Sequence, residues 1–520
     1  DIGITLALIP AKHPGVNIGR RHFPLNASFM NGPNWGKDVF IPMDWVIGGR
    51  EFSGQGWRML MECLAAGRSV SLPSSSAGAA KLALRTTSAY SRVRSQFKIP
   101  IGKFEGIEEV LARMAGNTYV IDAARTMTAG AIDLGEKPSV ISAIVKYHCT
   151  ERGRQVINDA MDVHGGKGIC LGPNNYLGRA YQQIPIGITV EGANILTRSM
   201  MIFGQGAIRC HPYVLKEIAA TRNTDPGLAG REFDDAFWAH VRFVVCNAAR
   251  SLWQGVTGAS LVGVPGAPAL RPYTRQLTRL CAGFAFSADV SMMVLGGDLK
   301  RREKLSARLG DILSQLYLAS TILKRYEDDG RALADLPLAK WALEDCLFRI
   351  QEAFYGVFEN FPIRVVGWLL RVVAFPLGKS FSAPRDDVEH QIAKLLLEAS
   401  PTRERLTSNV FVLRHEDDPV GRLELAMQSA PAGEATEAKI RSAMKAGVIT
   451  GLTEPARIAA AVTKGIVTAA EAAQFQRFSA LRRGCIMVDD FPHDVGRAQI
   501  ARETTNVTAL GSAVSQKTAA

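Results

Sequence analysis

The chain has 520 residues, more than one ordinary domain, and 47% of them are hydrophobic, enough for sizeable cores. Its formal charge of +12 favours anionic partners: acidic lipid, nucleic acid, or a polyphosphate ligand such as a nucleotide or coenzyme A. Eight cysteines without CxxC or CxxH spacing argue against a disulfide framework or a structural zinc, and for free thiols in a reducing compartment.

No secretory signal is visible. The chain begins at Asp1 inside a strand-like run and without Met, so further N-terminal sequence is expected ahead of it. The run from Ile2 to Ile9 reads as a strand ending at Pro10, followed by a turn at Pro14-Gly15 and a second strand end at Val39-Phe40-Ile41-Pro42. From about Trp57 to Thr221 the pattern is helical. Ile107, Val110, Leu111 and Met114 share one helix face. Long helices are expected after Arg68, after Phe104, and over 139–164, the last stopped by Gly165-Gly166. Residues 222–230 read as a linker. Beyond it, helices are expected near 231–255, 275–298, 300–327, 335–359 and 385–399, with a short apolar and basic element at 361–379. The tail from about 430 carries small helices, and its last fifteen residues read as frayed. No internal repeat is evident.

The sequence is organised around Ile188-Thr189-Val190-Glu191-Gly192-Ala193-Asn194. Glu191 follows an uncharged run from Ile184 to Val190. Poor solvation there would raise its pKa towards neutrality, where a carboxylate serves as a general base. Gly192 lets backbone approach a ligand with no Cβ in the way. Alone, the stretch also reads as a helix N-terminus with Glu191 complementing the dipole.

Arg94-Ser95-Gln96-Phe97 places a cation, a hydroxyl, an amide and an aromatic at a helix end. That set suits a phosphate plus a flat ring, and equally an ordinary basic C-terminal turn. His164-Gly165-Gly166-Lys167-Gly168 could let backbone amides crowd an anion, or simply cap a helix. It is not a P-loop, lacking both the spacing and the hydroxyl after Lys. HExxH, GxSxG and dinucleotide fingerprints are absent, and no metal site is expected.

In order, Gly3-Ile4-Thr5, Pro14-Gly15-Val16, Gly54-Gln55-Gly56-Trp57, Arg68, Arg94-Ser95-Gln96-Phe97, Val163-His164-Gly165-Gly166-Lys167-Gly168 and Val190-Glu191-Gly192 resemble the second half of an acyl-CoA dehydrogenase over residues 1–205. The stretch from Phe23 to Pro42 and the helical extension after 222 resemble the large bacterial FadE-type β-oxidation enzymes over nearly the whole chain. The resemblance implies a mainly α fold with a β-domain. Residues 1–55 would end the middle β-domain, a partial barrel or sandwich, and 56–222 would be the C-terminal four-helix domain. A helical extension over 223–430 and a small helical tail over 431–520 complete it.

The resemblance also implies roles. Glu191 would remove the α-proton of a medium- or long-chain fatty acyl-CoA while a hydride leaves the β-carbon for FAD, giving the trans-2-enoyl-CoA. Its backbone N–H and a flavin hydroxyl would polarise the thioester carbonyl. Arg94, Gln96 and Phe97 would touch the FAD of a neighbouring subunit, as would Gly165 and Gly166. Arg68 and Gly192 would bind substrate. Electrons would pass to electron-transfer flavoprotein, and a homodimer is implied, with no nucleic-acid partner. Three positions depart from the family pattern: Ala193 for Thr, Ile195 for Gln, and Asp162 for Gln. They bear on adenine and ribityl binding. Two other functions stay open, an acyl-CoA oxidase reoxidised by oxygen and a non-catalytic acyl-CoA-binding or assembly protein of the same fold.

Between Pro362 and Pro376 lies a helix of about 20 Å, too short for a bilayer core of about 30 Å. Arg364 and Arg371 share a face with Gly367 and leave an apolar face bearing Trp368. That pattern suits an in-plane helix on an anionic membrane surface, which the FadE-type resemblance would make the cytoplasmic side of a bacterial inner membrane. A buried hairpin is the other reading.

Overall fold

A computed structural model describes residues 3–27, 31–136 and 138–495. The fold is mostly helical. Two short strands, β1 (Val16–Ile18) and β2 (Asn34–Gly36), pair antiparallel with Val16 opposite Gly36. The strand expected from Ile2 to Ile9 does not form over its described residues. Ile4 bridges Gln55 and Ala7 bridges Val46, but no neighbouring ladder extends either contact. Val39–Pro42 is likewise irregular.

Helix α1 (Gly56–Val93) is 38 residues long and starts well before Arg68. A small hairpin follows, β3 (Ser95–Gln96) with β4 (Ile99–Pro100), turning on Phe97 and Lys98, both at positive φ. Helices α2 (Glu105–Asp133) and α3 (Ser139–His164) come next. Gly165 closes α3 at φ 55°, as its place in the sequence requires. Helix α4 (Gly178–Thr189) packs on α3. After a tight turn the chain re-enters helix at Asn194, and Thr197–Gln205 is wound as a π-helix.

The extension begins at α5 (Pro226–Val256), where Asp225 accepts from two backbone amides and Pro226 opens the first turn. Then come α6 (Arg271–Leu295), α7 (Glu303–Asp328), α8 (Leu336–Glu359), α9 (Arg364–Ala374) and α10 (Asp386–Leu396). By length and composition the segment Pro268–Lys300 could cross a membrane, yet half of its most apolar window is buried within the fold. One apolar core runs without a break from Ala77 in α1 to Leu406, so bundle and extension share it. The seam is tight. A Cβ on Gly116 of α2 would lie 1.9 Å from the Trp341 ring of α8, so only glycine fits. Arg152 of α3 pairs with Asp345 of α8 at 2.9 Å, both buried.

The tail is a hairpin of α11 (Pro419–Lys445) and α12 (Ala469–Ile486), the latter opened by a Thr468/Glu471 capping box. It packs along the C-terminal half of α1. There Arg403, fully buried, and Arg85 converge on Glu424. The frayed segment expected over the last fifteen residues lies outside the described residues.

Helix α9 differs from its expected arrangement. Gly367 does not share an outer face with the arginines. It faces inward, where a Cβ would stand 2.3 Å from the Phe358 carbonyl oxygen. Leu370, Val373 and Ala374 are buried with it, and Trp368 is 62% exposed beside Arg364 and Arg371.

Candidate functional site

Glu191 sits in the turn between α4 and the helix beginning at Asn194. Glu191 and Gly192 both adopt positive φ, 55° and 94°. For a non-glycine residue that conformation is strained, and strain of this kind is kept where the surroundings enforce it. Lys146 of α3 enforces it here. Its ammonium donates to the carbonyl oxygens of Ile188 (3.2 Å) and Gly192 (2.7 Å) and to Asn194 Oδ1 (2.7 Å). Asn194 in turn donates to Thr150 and Glu151, and the Thr197 hydroxyl donates to the Gly192 carbonyl at 3.1 Å. The turn is thereby pinned on both sides of the carboxylate.

The surroundings of Glu191 are not the purely apolar ones its flanking sequence suggests. Arg68 from α1 and Lys146 from α3 both face it. Arg68 is buried, and a Cβ on Gly192 would lie 3.8 Å from its Nη2. Burial lowers the pKa of the Arg68 guanidinium, and the nearby Glu191 carboxylate opposes that shift. Burial, then repulsion from Arg68, brings Lys146 down to about 8, against attraction from Glu191 and Glu151. Among the described residues, two buried side-chain atoms in this niche have no partner: Glu191 Oε2 and Arg68 Nε. The Glu191 backbone N–H is also unengaged among the described residues. A buried carboxylate oxygen, an amide N–H and a guanidinium left open in one niche can accept a proton and hold an oxyanion.

The other candidate set gathers at the opposite end of α1 and α3. Arg94 Nη1 donates to the Tyr90 hydroxyl at 2.6 Å, and the Tyr90 ring stacks on His164 with centroids 4.3 Å apart. His164 spends both nitrogens, on the Ala160 carbonyl and the Tyr176 hydroxyl, and burial pushes it down to about 3, so it stays neutral. That stack joins the hairpin bearing Gln96 and Phe97 to the Gly165–Gly166 turn. Phe97 projects at the hairpin tip, 89% exposed. Over Gly165 and Gly166 a Cβ would meet nothing within 4 Å.

Lys167, which sequence places in an anion-binding loop, is committed elsewhere. It is buried and donates to the Met487 carbonyl at 2.7 Å, while Asp489 takes the Asn174 backbone and side-chain amides. The tail segment after α12 thus clamps the 167–175 loop. The two candidate sets are not brought together within the chain: from Arg68 to Arg94 along α1 is about 40 Å. Lys146 stands outside every stretch the sequence singles out, and Asn194 closes the central one with no role assigned to it. A lysine flanked by apolar residues on a predicted helix was the only available signal.

Outside both sets, His211 Nε2 stands 2.8 Å and His240 Nε2 3.4 Å from Asp289 Oδ1. His211 Nδ1 accepts from the backbone amides of Tyr213 and Val214, which places its proton on Nε2, pointing at Asp289. The cluster is therefore hydrogen-bonded through that proton.

Residues 54–202 match the family model for the acyl-CoA dehydrogenase C-terminal domain, and residues 208–491 match that for the acyl-CoA dehydrogenase C-terminal domain of bacterial type. The probable acyl-CoA dehydrogenase FadE10 of Mycobacterium tuberculosis is 30% identical over 168 residues, 32% of this chain and 25% of that protein. Protein HemX of Proteus mirabilis is 61% identical over 87 residues, 17% of this chain and 51% of that protein. A Bacillus anthracis acyl-CoA dehydrogenase solved with FAD superposes with a TM-score of 0.60 at 16% identity, covering 76% of this chain and 66% of that one; it shows a shared fold. The chain spans about half or less of the length of these curated relatives. With the bacterial-type model alone matching over half its residues, the chain belongs to the acyl-CoA dehydrogenase family.

Proposed function

We propose that the chain is the C-terminal portion of an FAD-dependent dehydrogenase that converts medium- or long-chain fatty acyl-CoA to the trans-2-enoyl-CoA. The observation that carries this is the Glu191 niche, with its partnerless carboxylate oxygen beside an unengaged backbone N–H. Glu191 takes the α-proton. Its own N–H, held in the positive-φ turn by Lys146, donates to the thioester carbonyl and makes that proton more acidic. Arg68 offers a cation to the substrate at the same turn.

FAD fits the other end of the bundle, where the exposed Phe97 ring and Gln96 stand near the open surface above Gly165 and Gly166. Bound there, it supplies the hydride acceptor. The distance of about 40 Å between the two sets supports a homodimer in which each chain gives its base to one flavin and its Phe97 hairpin to the other. Electron-transfer flavoprotein is the proposed acceptor.

Membrane attachment on the cytoplasmic face of the inner membrane is proposed through α9. Trp368, Val365 and Leu369 are exposed between Arg364 and Arg371, the arrangement of an interfacial helix. The adjoining α5, bound through Ser251 to the Val373 carbonyl, exposes Trp238, Val245 and Trp253. A visible spectrum of the purified protein tests the enzymatic reading. A flavin band that palmitoyl-CoA bleaches without oxygen is expected; a flavin untouched by acyl-CoA of any length would overturn it.

A further inference from the structure

A cleft of about 680 Å³ separates α3 of the bundle from α7 and α8 of the extension. It opens on the face of the bundle where Arg198 and Arg152 cross to the extension. Five arginines line it, against three carboxylates. Each of those carboxylates already holds a cation. Glu151 is taken by Arg154, Asp311 by both nitrogens of the Arg198 fork, and Glu352 by Lys379 at 2.7 Å.

Arg308 is left over. Among the described residues it makes no ion pair and no hydrogen bond. Its stem lies across Gly356, where a Cβ would come within 3.1 Å of Arg308 Nε, so a side chain there would displace it. Arg349 spends only Nε on Asp345, at 2.8 Å, and keeps its two terminal nitrogens. Both guanidinium groups act electrostatically on Asp311, which puts them at the same wall.

The remaining lining groups include further polar atoms that can donate. His148 is 7% exposed and its Nε2 is buried with no partner. Burial, then the fields of Arg152, Arg349 and Arg198, hold it well below its ordinary pKa and keep it neutral. The Tyr147 hydroxyl is pushed up to about 12 by burial and keeps its proton. Gln155 spends only its oxygen, on Asn117. Surplus guanidinium forks ringed by neutral donors match an oxyanion with several acceptor oxygens. A single carboxylate would leave most of those donors unused, and the cleft has room for a body larger than the anion.

We infer that this cleft binds a phosphorylated small molecule, its phosphoryl oxygens taken by Arg308 and Arg349. The site is separate from the Glu191 niche and does not depend on the dehydrogenase reading. Isothermal titration of the whole protein with inorganic pyrophosphate, at low and at physiological salt, tests it. Saturable binding of one pyrophosphate per chain is expected. Arg308→Gln should weaken it about tenfold or more, the effect of losing one charge-assisted contact, and Arg308→Lys should weaken it less. Arg301→Gln, an exposed arginine on the segment before α7, and Arg68→Gln, in the Glu191 niche, should both leave it unchanged. Absence of saturable binding would overturn the proposal. So would equal binding by Arg308→Gln, a loss that follows Arg68→Gln instead, or succinate binding more tightly than pyrophosphate.

Discussion

The two ends of the α1–α3 pair are built from the same helices and treat their polar groups in opposite ways. At the Gly165 end nearly everything is spent. His164 uses both nitrogens, Lys167 is tied to Met487, and Asn174 is held by Asp489. At the Glu191 end, Glu191 Oε2 and Arg68 Nε are buried without partners. A buried polar atom left unpaired costs about 1–3 kcal/mol, so each calls for an explanation, and a ligand that completes it is one. The closed end is a joint, and what it offers a ligand is surface: the Phe97 ring and the open ground above two glycines. The open end leaves polar groups free, and that is where the proposed chemistry belongs.

Breaking the open end should have the largest effect. Glu191→Gln keeps the shape of the turn and removes the proposed base, so turnover should fall by about 10³-fold or more while flavin and acyl-CoA still bind. Near-normal turnover in that variant would place the base elsewhere.

The joint at the tail should show the largest stability effect. Glu424→Gln leaves Arg85 and Arg403 sharing the half-exposed Glu404 and facing a neutral amide where their buried carboxylate stood, and should cost about 3 kcal/mol in denaturant unfolding. The Glu424 pKa is lowered overall, with burial opposing and Arg403 and Arg85 outweighing it. Its contribution is therefore present above the ordinary glutamate pKa and is lost as pH falls through the folded value. The acid limb of stability against pH should shrink in the variant.

Lys146 sharpens the comparison through pH. Its ammonium has three protons for three acceptors at the turn; the neutral amine has two. With its pKa depressed to about 8, the rate should decline as pH rises through that value, and the limb should vanish in Lys146→Gln. Stability should move the other way. The folded protein binds fewer protons than the unfolded chain between about 8 and 10.5, so deprotonation there relieves the buried charge. A rate flat across pH 8 would show that the lysine does not hold the turn.

The smallest effect belongs to the outer surface. Trp368→Glu should reduce sedimentation with anionic vesicles several-fold and leave the flavin spectrum alone, because Trp368 packs little of itself into the fold. Unchanged sedimentation would remove α9 from the membrane contact.

The helices of the extension were legible from hydrophobic periodicity, since α5, α7 and α8 fall within a few residues of their expected bounds. The Gly165 stop was legible too, because its immediate neighbours mark it, and the turn at Glu191 falls inside the stretch that the sequence singles out. The cations facing Glu191 were not. Both come from helices far off in the sequence, and nothing local marks them as neighbours: Arg68 was tied to the substrate by the family resemblance alone, and Lys146 was given no role. The strand expected at Ile2–Ile9 had β-forming residues, but a ladder needs partner strands as well as propensity, and bridges form only at single points. Gly367 misled for a different reason. Small and flanked by arginines, it suited a polar face, yet its lack of a Cβ serves the close approach to Phe358.

The central claim is that the two ends of one chain serve two different active sites, and complementation between subunits tests it most directly. Gly166→Val should harm only what binds over it, since a side chain there meets nothing in its own chain. Glu191→Gln and Gly166→Val homodimers should each be inactive. Co-expressed, they should form mixed dimers in which one site has an intact base from one subunit and an intact glycine turn from the other. Each mixed dimer then has one complete site of two, and recovery towards half of the wild-type activity per mixed dimer is the predicted result. Mixed dimers as inactive as their parents would mean that base and turn act in the same site, contradicting the account.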